Sequence, residues 1–259
     1  IVLSNINGVY KFNGVQTQSL VNSSLTAWVK YYRQDENSPN SIVNYYTKGA
    51  LIGLCLDLYM RNNSLAKVSL DDVLLKLYKK SQNDGLGIKE DELINLISGF
   101  SGCNLDSILN NWVTETKILP LKDLLDKFGI QLIHRNQRYS DNGKVLTDNE
   151  NIPKDYNFVD LGCNLIKDNL GYKVKHVYSN SVGSVSGLSS NDHIIALDNE
   201  KFYDVNLQLS RYKVGDSATL TIFRREALLN LKIKFTKANC TVYSLIIKDE
   251  KKLKKWLIK

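Results

Sequence analysis

Apolar positions change their period once along the chain. Up to about residue 128 they recur at helical spacing, and beyond Gly129 they alternate. Between Gln18 and Tyr32, the residues Leu20, Leu25, Trp28, Val29 and Tyr32 fall near one helical stripe. A second, longer helix is expected from Ser38 as N-cap, with Pro39 at its first position, to about Asn62. Ser69-Leu70-Asp71-Asp72 opens a third: serine caps, the acids oppose the N-terminal dipole, and Val73, Leu74, Leu77 and Tyr78 form the stripe. Lys89-Glu90-Asp91-Glu92 opens a fourth, ending before Gly99 and Gly102. Leu105 to Trp112 is a fifth, and Pro120 to Phe128 a sixth, stopped by Gly129. Strands are then expected at Ile130-Gln131-Leu132, Leu161 to Ile166, Tyr172 to Tyr178, Ile194 to Leu197, Ala218 to Phe223 and Leu229 to Phe235. A polar passage from Arg135 to Asn157 has Asp141-Asn142-Gly143 as a hairpin tip, and one short helix spans about Val205 to Tyr212. The expected class is α+β: an all-α subdomain over 1–128, a small, partly open β-barrel over 129–247, and a basic tail over 248–259.

Composition narrows the class without naming a function. Hydrophobic residues at 43% and charged residues at 24% fit a soluble globular chain. No apolar run approaches the ~20 residues of a membrane span. Residue 1 is Ile and no basic-then-apolar leader follows, so either a leader was removed or the chain is a piece of something longer. A cytoplasmic location is expected over a periplasmic one. The net charge of +7 is concentrated: five of the positive charges are the lysines of the tail KKLKKWLIK, leaving two for the rest. A nucleic-acid groove would spread its basic residues over a face, so no nucleic-acid partner is expected.

Cys55, Cys103, Cys163 and Cys240 are far apart and make no CxxC, which argues against a zinc ribbon or a redox pair; three of the four sit in apolar runs, as small hydrophobes. His134, His176 and His193 include no pair four apart, so no helical zinc pair and no evident catalytic triad is present. Each histidine falls in a strand-like stretch and reads as a satisfied surface or edge residue.

The stretch YKVKHVYSNSVGSVSGLSSNDHIIALDNEKF, residues 172 to 202, resembles a PDZ domain of the protease-associated type. Val174 and Val177 match the strand, Gly187-Leu188 the Ala-Gly-Leu turn, and Asp192, Ile194 and Asp198 the positions that follow. Asn191 and Asn199 replace family glycines; asparagine tolerates positive φ, so the turns should survive. The resemblance implies that a peptide adds as a strand to a sheet edge, its C-terminal carboxylate held by backbone amides of an apolar-Gly-apolar loop. Leu161-Gly162-Cys163 fits that loop, and fits an ordinary strand entry equally well.

The stretch QTQSLVNSSLTAWVKYYRQDENSPNSIVNYYTKGALIGLCLDLYMR, residues 16 to 61, resembles the PDZ-containing glycyl aminopeptidase family of gluzincin zinc peptidases. The likeness continues through Ser69-Leu70-Asp71-Asp72-Val73 and the PDZ-like region. In that family HExxH and a following glutamate hold the zinc, upstream of the part matched here. The resemblance therefore implies the C-terminal part of such an enzyme: zinc in the full-length protein, none in this chain, and peptide substrates with small N-terminal residues. It also implies a role for Tyr46 in Tyr46-Thr47-Lys48-Gly49, as a phenol donor to the oxyanion of the tetrahedral intermediate. On residue type alone Tyr46 reads instead as an amphipathic core aromatic. Gly49 and Gly53, four apart, would let another helix or the substrate approach. Asp35 and Glu36 would hold a substrate amino group or cap the next helix. Leu253, Trp256 and Leu257 would lie on a membrane surface or dock on the protein itself. The alternative to an enzyme is a non-catalytic PDZ scaffold or a pseudopeptidase.

Overall fold

The computed structural model describes residues 1–85, 87–101, 105–135, 145–146, 159–238 and 242–257. Helices come first: α1 (Val2–Tyr10), α2 (Gly14–Thr17), α3 (Leu20–Leu25), α4 (Ser38–Ser41), α5 (Tyr45–Asn63), α6 (Leu70–Asp84), α7 (Glu90–Ser101), α8 (Asp106–Thr114) and α9 (Leu121–Lys127). Next are β1 (Ile130–Arg135), β2 (Val145–Leu146), β3 (Cys163–Lys167), β4 (Tyr172–Val177), α10 (Val182–Val185), β5 (His193–Leu197), β6 (Glu200–Lys201) and α11 (Val205–Leu209). The chain closes with β7 (Ser217–Arg224), β8 (Ala227–Lys234), β9 (Val242–Ile247) and α12 (Glu250–Leu257). The class is α+β. The expected hairpin tip Asp141-Asn142-Gly143 lies outside the described residues.

The long helix expected from Ser38 is two helices. After α4, Ile42 is extended (φ −125°, ψ 154°), and α5 starts afresh with Asn44, whose side chain accepts from the Thr47 amide. Tertiary bonds hold the break open. The Gln18 amide oxygen accepts from the Val43 N–H at 3.0 Å, and the buried Ser23 hydroxyl donates to the Val43 carbonyl. The expected helix to Tyr32 also ends early, at Leu25; Leu25, Trp28, Val29 and Tyr32 are exposed rather than core. The third helix starts as expected, with a reciprocal capping box between Ser69 and Asp72. Val73 is buried, whereas Leu74 and Tyr78 of its stripe face solvent. The fourth helix runs through Gly99 to Ser101.

Helical packing centres on α5. Leu51, Ile52, Cys55 and Leu58 pack with residues of α1 and α9, and Leu56 and Met60 with Val73, Ile97 and Leu105. Asp57 on the same helix ties three elements: it accepts from Arg61 Nε at 2.9 Å, from the Leu70 amide at 2.9 Å and from Trp256 Nε1 at 3.2 Å. Leu253 and Trp256 pack on this core, so α12 docks on its own chain, leaving Leu257 exposed. No described helix is long and apolar enough to cross a membrane.

Two sheets follow. β9 lies between β1, antiparallel, and β2, parallel. The larger sheet runs β3-β4-β5-β7-β8 in antiparallel order, with β6 on β5. Its end strands do not pair with each other among the described residues, so the sheet is open rather than a closed barrel. Asn191 (φ 69°) and Asn199 (φ 64°) adopt the left-handed conformation expected of them. Asp192 is fully buried and takes a two-pronged Arg224 guanidinium (2.8 Å on each oxygen) plus the Ser189 amide. That arrangement closes the turn before β5 onto the end of β7.

The cores do not divide where the sequence period changes. Residues from Val159 to Phe235 form a separate apolar core, whereas Ile130 of β1 and Leu245 of β9 are buried among the helices. A fragment of residues 159–238 is therefore expected to give a dispersed amide spectrum alone. A fragment of 129–247 would bare the helix-facing side of β1 and β9 and should bind a hydrophobic dye more strongly. A collapsed spectrum for 159–238 would show that its core depends on the helices.

Candidate functional site

Two places combine exposed polar chemistry with a built framework. The first is the N-terminus of α5. The Gln18 and Ser23 bonds fix where the helix begins, and so where Tyr45 and Tyr46 emerge. Tyr46 is 62% exposed. The Tyr32 hydroxyl lies 3.1 Å from that of Tyr45 and 3.5 Å from that of Tyr46. Tyr31, held by the Asn44 side-chain amide at 2.8 Å, sets its ring edge-on to Tyr32 and Tyr45, with centroids 5.3 Å away in both cases. Hydrogen bonds from Tyr32, then Tyr45, hold the Tyr46 phenol below its ordinary value. The reverse role in the bonds with Tyr32 and Tyr46 pushes Tyr45 up. Of the adjacent hydroxyls, Tyr46 is the more exposed and the more acidic, hence the better hydrogen-bond donor to a developing anion.

Lys48, one turn into α5, is the lysine of the Tyr46-Thr47-Lys48-Gly49 order, and its burial was not announced by the sequence pattern. It is fully buried, its ammonium reaches the Glu115 carbonyl at 3.5 Å, and burial lowers its pKa. With no carboxylate paired to it among the described residues, this cation, two residues from Tyr46, ties the helix start to the end of α8. Among the described residues no atom lies within 4 Å of a Cβ built on Gly49, whereas Leu70 Cδ2 of α6 lies 3.9 Å from one on Gly53, so a helix approaches at Gly53 and not at Gly49. Asp35 serves its own loop: it accepts from the Asn37 amide and from the Ser38 hydroxyl. Glu36 contributes its carbonyl to His176 Nδ1, 3.0 Å away.

The second place is a cavity of about 1080 Å³ between the larger sheet and the helices. Asn164, Leu165 and Lys167 of β3 line one wall, and Tyr203, Val205 and Asn206 around the start of α11 line another. β3 pairs only with β4 among the described residues, so its other edge is available for an added strand. Gly162, at the entrance to β3, lines the cavity with φ +62°; a Cβ there would come within 2.1 Å of Ser181 Cβ. Leu161 and Cys163 on either side are buried in the sheet core, although Cys163 also touches the cavity. The helical side contributes Lys11, Phe12 and Gln16. Phe12 stacks at an angle on Tyr178 (5.6 Å), and the Asn40 side chain both donates to the Val177 carbonyl (2.8 Å) and accepts from the Ser179 amide (2.9 Å). These bonds fix the sheet's position over the helices.

The histidines lie in β1, β4 and β5. His134 stacks on Tyr243 at 4.2 Å, and His193 meets Asp168 at 2.9 Å. Cys55 and Cys163 are buried free thiols, burial raising Cys55 to about 12; Cys103 and Cys240 lie outside the described residues. Among the described residues no group of three or more His, Cys, Asp or Glu side chains is placed to hold a metal ion.

Residues 2–52 match the model of the M61 glycyl aminopeptidase family. The whole chain superposes on a crystal structure of an aminopeptidase N family protein from Idiomarina loihiensis, with 31% identity and a TM-score of 0.86. It covers 100% of this chain and 44% of that one, so the chain spans less than half of that relative's length. Shorter matches reach a serine endoprotease from Yersinia pestis (19% identity, 32% of this chain, 30% of that one, TM-score 0.29) and the HtrA-type protease AlgW with a decapeptide (17%, 30%, 29%, 0.28). No curated protein matches the sequence.

Proposed function

We propose that this chain is the C-terminal part of a zinc-dependent aminopeptidase of the glycyl type, one that removes small N-terminal residues such as Gly or Ala from peptides. The observation that carries this reading is the superposition of the entire chain on an aminopeptidase-family structure, joined to the family match over residues 2–52. That match ends inside α5, just past Tyr46.

Within this reading Tyr46 is the catalytic residue that the chain contributes. Its hydroxyl donates to the oxygen that gains charge as the tetrahedral intermediate forms. Tyr32 and Tyr45 orient that hydroxyl, and their hydrogen bonds make it more acidic. The described residues do not offer a ligand set that fits a catalytic zinc, which needs three protein ligands and an open position. The zinc and its ligands are therefore assigned to the remainder of the full-length enzyme. That remainder would lie against the exposed face of Leu25, Trp28, Val29 and Tyr32 beside Tyr46.

The sheet unit is read as a PDZ domain, with β3 and α11 as the walls of a strand-adding peptide groove and Leu161-Gly162-Cys163 as the loop at its end. The free edge of β3 and the cavity beside it support this.

The gene should encode HExxH and a downstream glutamate ahead of Ile1; their absence would leave a pseudopeptidase or a scaffold. The full-length protein should hydrolyse Gly- and Ala-anilides and lose that activity to a chelator. The present chain alone should bind no stoichiometric zinc and cleave no peptide. Metal analysis showing one tightly held zinc per chain would overturn the assignment of the ligands to the remainder.

A further inference from the structure

The loop that leads into β3 already contains a carboxylate. Asp160 lies half-buried in the cavity wall, two residues before Gly162, which lines the same cavity and whose amide acts to lower the carboxyl pKa against the effect of burial. That amide belongs to the backbone of Leu161-Gly162-Cys163, the loop on which a peptide end would close. The neighbouring carbonyls are committed elsewhere: Leu161 accepts from the Gly183 amide and Gly162 from the Tyr178 amide, both within the sheet unit. The loop is thus held through its carbonyls, with the Asp160 carboxyl beside it in the same cavity wall. A strand laid along the open edge of β3, past Lys167, Leu165 and Asn164, would bring its terminus to this point. Two carboxylates cannot share a half-buried site with both ionised, because each disfavours the charge of the other.

We propose that Asp160 is a built-in occupant of this loop and sets the groove's specificity, excluding a free peptide C-terminus while it is ionised and accepting peptides with an uncharged end or an internal segment. The proposal rests on the strand-adding reading of the groove given above.

Burial raises Asp160 to about 6, while its bond from the Gly162 amide acts in the opposite direction. The side chain is then ionised at pH 8 and protonated at pH 5. Acidification should admit a terminal carboxylate by removing the like charge. The other charged or titratable groups facing the cavity are Tyr10 and Lys11 at the end of α1, His134 on β1, Cys163 and Lys167 on β3, Tyr172 on β4, Tyr178 after it, Tyr203 and Asp204 before α11, and Tyr243 on β9. Tyr178 is raised to about 12 by burial and stays neutral throughout this range. Histidine ordinarily titrates in the same window, so His134 is the group that must be controlled.

The test uses the full chain and a decapeptide of Thr, Val and Ala carrying tetramethylrhodamine, a label whose charge does not change over this pH range, made as the free acid and as the C-terminal amide. Neither form has a side chain that titrates, and the free α-carboxylate remains ionised from pH 5 to pH 8. If only the protonated state of Asp160 accepts the acid, the competent fraction at pH 8 is on the order of 1%, and Kd for the acid should weaken about 100-fold from pH 5 to pH 8. The amide should bind equally at both. Asp160→Asn should bind the acid with one affinity across this range, and His134→Gln should keep the wild-type profile. Equal binding of the acid by wild type at pH 5 and pH 8 would overturn the proposal without any variant. So would an Asp160→Asn profile that matches wild type, or a His134→Gln profile that has become flat. Failure of both peptides to bind at either pH, in wild type and Asp160→Asn alike, would remove the groove reading and the proposal with it.

Discussion

Tyr46→Phe in the full-length enzyme should lower kcat by ~10²–10³ and leave KM nearly unchanged. The substitution deletes one hydroxyl and keeps a ring that is already 62% exposed, so packing should not change. A donor that strengthens its bond only as charge develops acts on the transition state, which is why the loss should appear in kcat. Tyr45→Phe and Tyr32→Phe are the comparison variants. Each removes a hydroxyl that tunes and orients Tyr46 but not the donor itself, so each should lose kcat by clearly less than Tyr46→Phe does. Steady-state kinetics on a small aminoacyl anilide would decide. Full kcat in Tyr46→Phe, or the large loss in Tyr45→Phe instead, would return Tyr46 to the role of a surface aromatic.

Asp57→Ala should be the most destabilising polar substitution in the helical body, costing about 3–5 kcal/mol. Its carboxylate is the shared acceptor for donors from α5, α6 and α12. The Arg61 side chain is only 7% exposed, its Nη1 has no hydrogen-bond partner among the described residues, and its second ion pair, to Asp71, is long at 3.9 Å. Removing Asp57 leaves that guanidinium buried with little compensation and orphans the Leu70 amide and the Trp256 indole. All three tryptophans, Trp28, Trp112 and Trp256, lie outside the sheet unit, so denaturant melts followed by tryptophan fluorescence report on the helical body. Asp57→Asn should lose less, because an amide oxygen can still accept from Leu70. A loss below about 1 kcal/mol in Asp57→Ala would show that the three donors find other partners.

Much of the element order was legible because it depends on local physics. The helix start at Ser69 with its two acids, the positive-φ positions of Asn191 and Asn199, and the stop at Gly129 each follow from neighbouring residues and appear as expected. The helix through Ser38 was misread because its interruption is not local. Ile42 and Val43 have no breaker residue; the backbone bonds that would continue the helix go to Gln18 and Ser23, some twenty residues earlier. The apolar stripe of Leu25, Trp28, Val29 and Tyr32 has helical spacing, yet periodicity cannot say whether anything in this chain covers it, and nothing described does.

The candidate site divides along the same line. The Tyr-x-Lys-Gly order in the sequence singled out Tyr46, but only the fold brings Tyr32 to its hydroxyl and makes it the more acidic of two adjacent tyrosines. Gly162 could be marked from its apolar neighbours, whereas Asp160 gave no signal, because its effect depends on its burial and on the one amide it meets. The change of period at Gly129 announced a second kind of structure. The tertiary structure alone decided which strands belong to which core, placing Ile130 and Leu245 with the helices and leaving 159–235 a core of its own. Local sequence sets what backbone each segment can adopt. Which faces meet is set by the apolar area that distant segments bury together, and no window of the sequence contains that quantity.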